Sequence, residues 1–124
     1  MKITTELLLK RATEKKDKFE VKVYHSKVLD GDIEIRKIPI AKMYSFIDAA
    51  SSGSTMEQFD ATCMLVYECI PLLHDDALIE AYQCVEPYEI VTKVFDENVG
   101  EISAISSLIL SMYGLDNLVD DLKN

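Results

Sequence analysis

Histidine, cysteine and glycine are scarce in this chain of 124 residues, which excludes several kinds of site. The two histidines, His25 and His74, fall in different predicted loops, and no third side chain stands at a spacing that supports a metal site. Gly53 and Gly100 are isolated, so the sequence contains no glycine-rich loop for binding phosphate. The three cysteines form no C-x-x-C pair, which favours buried structural thiols over a disulfide framework or a zinc site. They are Cys63, Cys69 and Cys84.

Long apolar runs are also missing. No run approaches the roughly 20 residues that a membrane span requires, and the three leucines at residues 7–9 are too few for the apolar region of a signal peptide. Hydrophobic residues make up 48% of the chain and charged residues 28%, a balance that argues against disorder. We therefore expect a cytoplasmic protein with no membrane partner, folded as a single domain over residues 1–124.

Basic side chains are absent between Lys42 and Lys93. Residues 1–27 carry eight basic and four acidic side chains, a balance of plus four, whereas residues 28–124 carry five basic and eighteen acidic ones, a balance of minus thirteen. Affinity for nucleic acid comes from lysine and arginine that displace phosphate counterions. The charge pattern therefore argues against a nucleic-acid partner and favours a basic protein partner or plain solubility.

The polar residues form no catalytic constellation. The serines of the last long predicted helix lack a G-x-S-x-G turn and a neighbouring base. Glu86 and Glu89 are explained by the preference for negative charge at a helix N-terminus, and Asp75 and Asp76 after His74 by helix capping. We expect no enzymatic activity, metal or cofactor. The alternative is an enzyme whose site is assembled from residues far apart in the sequence.

Two helix signals follow one another between Glu86 and Gly114, the segment around which we expect the fold to be arranged. Pro87 suits a first helical turn, and Gly114 is a typical C-terminal stop. Apolar residues recur at spacings of three and four in the second helix, which predicts a buried stripe. The stripe consists of Ile102, Ile105, Ile109 and Met112, and its expected packing partners are Ile90, Val91, Val94 and Phe95.

The N-terminal third has a different pattern. Residues 1–17 predict a basic helix, capped by Thr4 or Thr5 and expected to be mobile. Apolar and polar residues then alternate on both sides of an Asp-Gly pair, which predicts a β-hairpin over residues 18–38 with a linker from His25 to Asp32.

Residues 39–124 are predicted to be helical. Pro39 leads one helix, and Thr55 with Gln58 is interpreted as the capping box of the next, which runs to about Ile70. A short helix over 77–82 and a last short helix after residue 115 complete the region. The expected fold class is α+β, mainly α, with a small N-terminal β-hairpin packed on a bundle of about five helices.

Methionine is a weaker signal for partner binding. Its flexible side chain suits both irregular cores and adaptable surfaces, so the methionines either fill the core or line a groove for an amphipathic helix. The short last helix buries little by itself and could open. The candidate partner-binding residues are therefore Met112, Leu118, Val119, Met64 and Met56.

A series of short motifs runs in a fixed order over about three quarters of the chain. An isoleucine-rich strand leads into a proline-led helix (33–47), followed by Leu-Val-Tyr-Glu-Cys (65–69) and Asp-Asp-Ala-Leu-Ile-Glu-Ala-Tyr (75–82). Glu-Pro-Tyr-Glu-Ile-Val (86–91), Val-Phe (94–95), Gly-Glu-Ile (100–102), Gly114 and a terminal Leu-Lys-Asn come next. The series resembles the tail assembly chaperones of long-tailed phages and phage-like elements, specifically the XkdN-like family. Val99 stands where that family usually has proline.

The resemblance implies a non-enzymatic protein of the bacterial host cytoplasm, encoded by a phage or prophage. It would bind the tape measure protein, keep it soluble until the tail tube polymerises around it, and be absent from the mature virion. The resemblance also implies a programmed frameshift at Leu122-Lys123-Asn124, giving a longer product that binds the tail tube protein. Self-association remains open, and the alternative function is that of an acidic regulatory or DNA-mimicking phage protein.

Overall fold

A computed structural model describes residues 1–15 and 20–115 of the protein. In it, a two-stranded antiparallel hairpin lies between the first helix and the other helices along the chain. Strand β1 (Val21–Ser26) pairs with β2 (Gly31–Arg36), with Val21 opposite Arg36 and Ser26 opposite Gly31. The predicted hairpin is confirmed, but its loop is shorter than the expected linker. Asp30 adopts the left-handed conformation, with φ 51°, that aspartate tolerates in tight loops, and the Ser26 hydroxyl accepts the N–H of Leu29 at 3.0 Å.

The inward face of the hairpin comes mainly from β2. Ile33 and Ile35 are buried, whereas Val21 and Val23 on β1 point outward and Val23 is 62% exposed. Tyr24, which lies opposite Ile33, is the half-buried residue of β1 that packs against the core. Both strands alternate with period two, so the pattern alone does not distinguish the buried face.

Six helices are present in the described residues. They are α1 (Thr5–Lys15), α2 (Ile40–Ala50), α3 (Thr55–Cys69), α4 (Asp76–Ala81), α5 (Ile90–Val94) and α6 (Val99–Met112), with 3₁₀ turns at Pro71–Leu73 and Pro87–Glu89. The expected α+β class with a mainly helical body is confirmed. The predicted helix containing Leu118 and Val119 lies outside the described residues, as do Lys18 and Phe19 at the predicted start of the hairpin.

Helix α3 packs against more elements than any helix of the segment 86–114, around which the fold was expected to be arranged. It packs against α2, α5, α6 and both 3₁₀ turns. The predicted α6 stripe is nevertheless confirmed, because Ile102, Ile105, Ile109 and Met112 are all buried. Phe95 and Ile90 are fully buried beside them, so the core is shared between α3, α5, α6 and the inner face of the hairpin.

The start of α3 corrects the predicted cap by one residue. Ser54, not Thr55, is the N-cap: its hydroxyl accepts the N–H of Glu57 at 3.1 Å, and the Glu57 carboxylate accepts the N–H of Ser54 at 3.4 Å. Gln58 instead donates to the carbonyl of Gly53. The ionised carboxylate of Glu57 is a stronger acceptor than the Gln58 amide and also complements the helix dipole.

The segment between α4 and α6 contains less regular helix than predicted. Pro87 opens a 3₁₀ turn that passes into α5, which is only five residues long. Asp96 and Glu97 then adopt left-handed conformations, with φ 54° and 59°, and end the helix. Asn98 caps α6 by accepting the N–H of Glu101 at 3.0 Å. Val99 is the first residue of α6, a position at which proline is also well accommodated.

Glu101 of α6 and Tyr113, the residue that follows this helix, hold the hairpin against the helices. Near the start of α6, the buried carboxylate of Glu101 accepts the N–H of Lys27 at 2.6 Å and the hydroxyl of Tyr24 at 3.2 Å. Just beyond its end, the Tyr113 hydroxyl accepts the N–H of Ile38 at 2.8 Å and donates to the Ile38 carbonyl. The loop and the exit of the hairpin are thus both tied to one helix.

Gly114 ends α6 as predicted, with φ +75°. Its N–H donates to the carbonyl of Ser111, and the N–H of Leu115 donates to that of Leu110, which is the hydrogen-bond pattern of a Schellman cap. We expect Gly114→Ala to lower the free energy of unfolding by about 1 kcal/mol, because a Cβ is disfavoured in the left-handed region. Chemical denaturation checks this value. Gly100→Ala, within the right-handed first turn of α6, is the control and should not destabilise the protein.

Candidate partner-binding groove

A surface groove lies between the first half of α3 and the segment 83–93, which contains most of the connection from α4 to α5 and most of α5 itself. We call it the α3–α5 groove. Its volume is about 520 Å³. It is lined by Met56, Phe59, Asp60, Cys63, Gln83, Val85, Tyr88, Glu89, Thr92 and Lys93.

The α3 wall follows from where the helix begins. With Ser54 as the N-cap, Met56, Asp60 and Cys63 recur at helical spacing and lie on one face, with Phe59 beside them. Cys63 is buried at the base of this wall, and Met56, near the N-terminal end of α3, is 66% exposed. The same helix therefore contributes one side chain to the core and one to the mouth of the groove.

The second wall is an irregular segment held by its own side chains. Gln83 takes a left-handed conformation after α4, with φ 57°. The carboxylate of Glu89 accepts the N–H groups of Val85 at 2.8 Å and Glu86 at 3.2 Å. The ammonium of Lys93 donates to the carbonyls of Tyr82 and Gln83 at 2.7 and 3.1 Å. These bonds fix the chain while leaving the Val85 side chain outside, at 86% exposure.

The groove is negatively polarised. Asp60 and Glu89 are in its lining, and the one lysine there, Lys93, directs its ammonium at backbone carbonyls. Desolvation first, and then the carboxylates of Asp60, Glu86 and Glu89, raise the pKa of Tyr88. This combination of exposed apolar side chains and a negative field suits an amphipathic helix that carries basic residues beside its apolar stripe.

Five residues were predicted from the sequence to bind a partner, and the three that the structure describes do not lie together. Met56 lies in the α3–α5 groove, and half-buried Met64 lines a separate, smaller pocket of about 190 Å³ with Phe46 and Tyr67. Met112 is 6% exposed and packs in the core. It belongs to the buried stripe of α6 and lines neither of these two pockets, so its role in partner binding stays a prediction. Leu118 and Val119 lie outside the described residues.

Val85 and Tyr88 line the groove but were not among the residues predicted from the sequence. Val85 is an isolated valine between turn residues, so no periodicity marks it as part of a surface. Tyr88 belongs to the Glu-Pro-Tyr-Glu run that was interpreted only as a helix start. The turn residues around Val85 were a usable signal, because loops of fixed geometry often carry binding residues.

Two buried thiols and one imidazole, those of Cys63, Cys69 and His74, have structural environments. Burial, reinforced by Asp60, raises the pKa of the Cys63 thiol to about 12, and burial likewise raises that of Cys69 to about 12. Such thiols stay protonated at neutral pH and are poor nucleophiles. A ring nitrogen of His74 lies 2.6 Å from the Tyr67 carbonyl, and Asp75 caps α4 as predicted, by accepting the N–H of Ala77 at 2.8 Å.

Neither a metal centre nor a membrane span is found among the described residues. Across 1–15 and 20–115, no three His, Cys, Asp or Glu side chains lie close enough together to hold a metal ion. None of the helices in these ranges has both the length and the apolar character to cross a bilayer. Comparison of the chain with family models, with curated proteins and with solved structures gives no match.

Proposed function

We propose that this protein is a phage tail assembly chaperone that binds the tape measure protein and keeps it soluble until the tail tube polymerises. The observation that carries the proposal is the ordered series of motifs between residues 33 and 124. In this proposal the protein works in the bacterial host cytoplasm and is not retained in the virion.

The positions of these motifs in the fold support the proposal. The Glu-Pro-Tyr-Glu-Ile-Val run (86–91) supplies a wall of the α3–α5 groove through Tyr88 and Glu89, and core packing through Ile90 and Val91. The Gly-Glu-Ile run (100–102) supplies the buried Glu101 that holds the hairpin loop. The motifs that resemble the family therefore coincide with residues that build the core and the candidate binding surface.

The surface chemistry is suited to a long, helical, aggregation-prone partner. Met56 and Val85 offer apolar contact to a helix face, and burying such faces is what keeps an exposed apolar stripe from associating with copies of itself. The acidic surface gives the complex a net charge that favours solubility. Because the apolar contact area at the mouth is small, the affinity would be moderate, which would allow tube protein to displace the chaperone.

Co-expression with the cognate tape measure protein tests the proposal. We expect the tape measure protein to remain soluble with this chain and to aggregate without it. Met56→Glu and Val85→Glu should reduce the soluble fraction, because each puts a charge on the apolar mouth of the groove. Leu72→Glu is the matched control, since Leu72 is 65% exposed outside the groove lining, and it should have no effect. A tape measure protein that is equally soluble without the chain would refute the function.

One observation favours a second candidate function, that of an acidic protein that mimics DNA. Residues 43–92 carry nine acidic and no basic side chains. A mimic would bind a nucleic-acid-binding protein of the host and be displaced by DNA as competitor. Binding to the tape measure protein that is insensitive to added DNA would favour the chaperone instead.

A further inference from the structure

Helix α1 presents an apolar stripe that is not covered. Leu8 is 56% exposed and Leu9 is 64% exposed, and both lie on one face with Ala12, three and four residues on. The Thr4 hydroxyl caps the helix by accepting the N–H of Leu7 at 3.2 Å. An isolated helix of eleven residues is marginal in water, because helices shorter than about 12 to 15 residues rarely hold without packing. Packing of this stripe against another surface would therefore stabilise α1.

The α3–α5 groove has the opposite charge to α1. Residues 1–15 carry four basic and two acidic side chains, a balance of plus two. The groove lining contains two carboxylates, Asp60 and Glu89, and one ammonium, that of Lys93, which donates to backbone carbonyls. The stretch 43–92, to which the other lining residues belong, carries nine acidic and no basic side chains. A basic helix with an uncovered leucine stripe and an acidic groove with an uncovered apolar mouth thus occur in one chain.

Helix α1 does not cover the groove of its own chain. In the structure, which contains a single copy, Leu8 and Leu9 are exposed, and so are Met56 and Val85 at the groove mouth. A second copy of the chain can cover both surfaces at once. Because each copy offers one helix and one groove, exchange between two copies closes on itself with two-fold symmetry and leaves neither surface open.

We propose that two copies of this protein associate by docking α1 of each into the α3–α5 groove of the other. Leu8 and Leu9 would contact Met56, Val85 and the half-buried rings of Phe59 and Tyr88. Arg11, which flanks the stripe at helical spacing, would face the carboxylates of Asp60 and Glu89 at the groove.

This exchange would also regulate partner binding. If the groove binds the tape measure protein, which rests on the function proposed above, α1 of the second copy occupies the same surface. An incoming amphipathic helix must displace it. The self-associated form would then be a stored form in which the apolar mouth of the groove is covered until a partner arrives.

Sedimentation equilibrium of the full chain tests the association. We expect a mass twice that of one chain, and weaker association as salt is raised, because charge attraction is screened. Leu8→Glu with Leu9→Glu should shift the mass to that of one chain, and so should Met56→Glu with Val85→Glu. Leu72→Glu, an equally exposed leucine outside the groove lining, is the control and should leave the doubled mass unchanged. Circular dichroism establishes that each variant is folded.

A disulfide trap identifies the contact itself. In a Cys84→Ser background, which removes the half-buried native thiol, a Leu8→Cys variant is mixed with a Val85→Cys variant and oxidised. The proposal predicts a cross-linked pair made of one chain of each kind, whereas Leu72→Cys in place of Val85→Cys should give none.

A native chain with the mass of a single copy would overturn the proposal, and so would a doubled mass that survives the groove substitutions. Neither result bears on the proposed function, which is tested separately by the solubility of the tape measure protein. Conversely, a self-associating chain that leaves the tape measure protein insoluble would support the exchange and refute the chaperone function.

Discussion

Replacing Ile105 by alanine is expected to lower the free energy of unfolding by about 2 to 5 kcal/mol. Ile105 is fully buried at the centre of the α6 stripe, and α6 packs on α3. The substitution removes three buried carbon atoms and leaves a cavity that a closely packed core closes only in part. Urea denaturation followed by circular dichroism measures the loss.

The control for Ile105 is on the same helix. Val99→Ala removes apolar atoms from a side chain that is 56% exposed, so its effect should stay within about 0.5 kcal/mol. A loss below half a kcal/mol for Ile105→Ala would mean that this stripe faces a partner or solvent in solution, in conflict with the core described above.

Replacing Glu101 by alanine is expected to lower the free energy of unfolding by about 2 to 4 kcal/mol, since hydrogen bonds to a charged group contribute about 1.5 to 3 kcal/mol. Its carboxylate accepts the N–H of Lys27 at 2.6 Å and the hydroxyl of Tyr24 at 3.2 Å. Alanine leaves the Tyr24 hydroxyl and the Lys27 N–H without this acceptor at the loop end of the hairpin. Thermal and urea denaturation check the value.

Three further measurements separate a specific role of Glu101 from general packing. Tyr24→Phe removes one donor and should have a smaller effect, about 0.5 to 1.5 kcal/mol. Desolvation and then the Glu101 carboxylate raise the pKa of Tyr24, so Glu101→Ala should lower that pKa, as measured by absorbance titration. One Glu101 oxygen is buried without a hydrogen-bond partner, and this burial offsets part of the stability that the hydrogen bonds of Glu101 contribute. An unchanged stability in Glu101→Leu would show that the cost of burial cancels the hydrogen bonds.

Helical periodicity predicted the α6 stripe because a stripe of Ile102, Ile105 and Ile109 can be buried only on one side of a helix. The same periodicity placed Met112 in the stripe, and its burial confirms that position; its separate placement near a groove came from the adaptable chemistry of methionine and stays a prediction. Periodicity gives the face of a helix, and the identity of what covers that face depends on tertiary packing.

The hairpin shows a different limit. Its existence followed from alternation around Asp-Gly, yet Val21 and Val23 proved to face outward and Tyr24 inward. A period of two leaves two candidate faces, and the choice was made by contacts far along the chain, including the hydroxyl of Tyr24 on Glu101. Such pairings, 77 residues apart, leave no local signal in the sequence.

The groove could be predicted only in part. Met56 was identified through its side-chain chemistry, but the second wall is a loop shaped by Glu89, Lys93 and the left-handed Gln83. Loop geometry depends on these individual hydrogen bonds and has no repeating pattern to detect. The cap of α3 was missed by one residue for a related reason, because Ser54 and Thr55 are both good caps and the position of Glu57 decided between them.

Amide hydrogen exchange of the purified complex with the tape measure protein tests the central claim most directly. If the α3–α5 groove is where the proposed chaperone binds its partner, the complex should form. Measured with the Leu8→Glu/Leu9→Glu variant, whose groove α1 of a second copy does not cover, the added protection should concentrate in residues 83–93 and in the first half of α3. Protection at Leu72 and in strand β1, neither of which lines the groove, should not change. Failure to obtain a complex, or protection that spares residues 83–93, would contradict it.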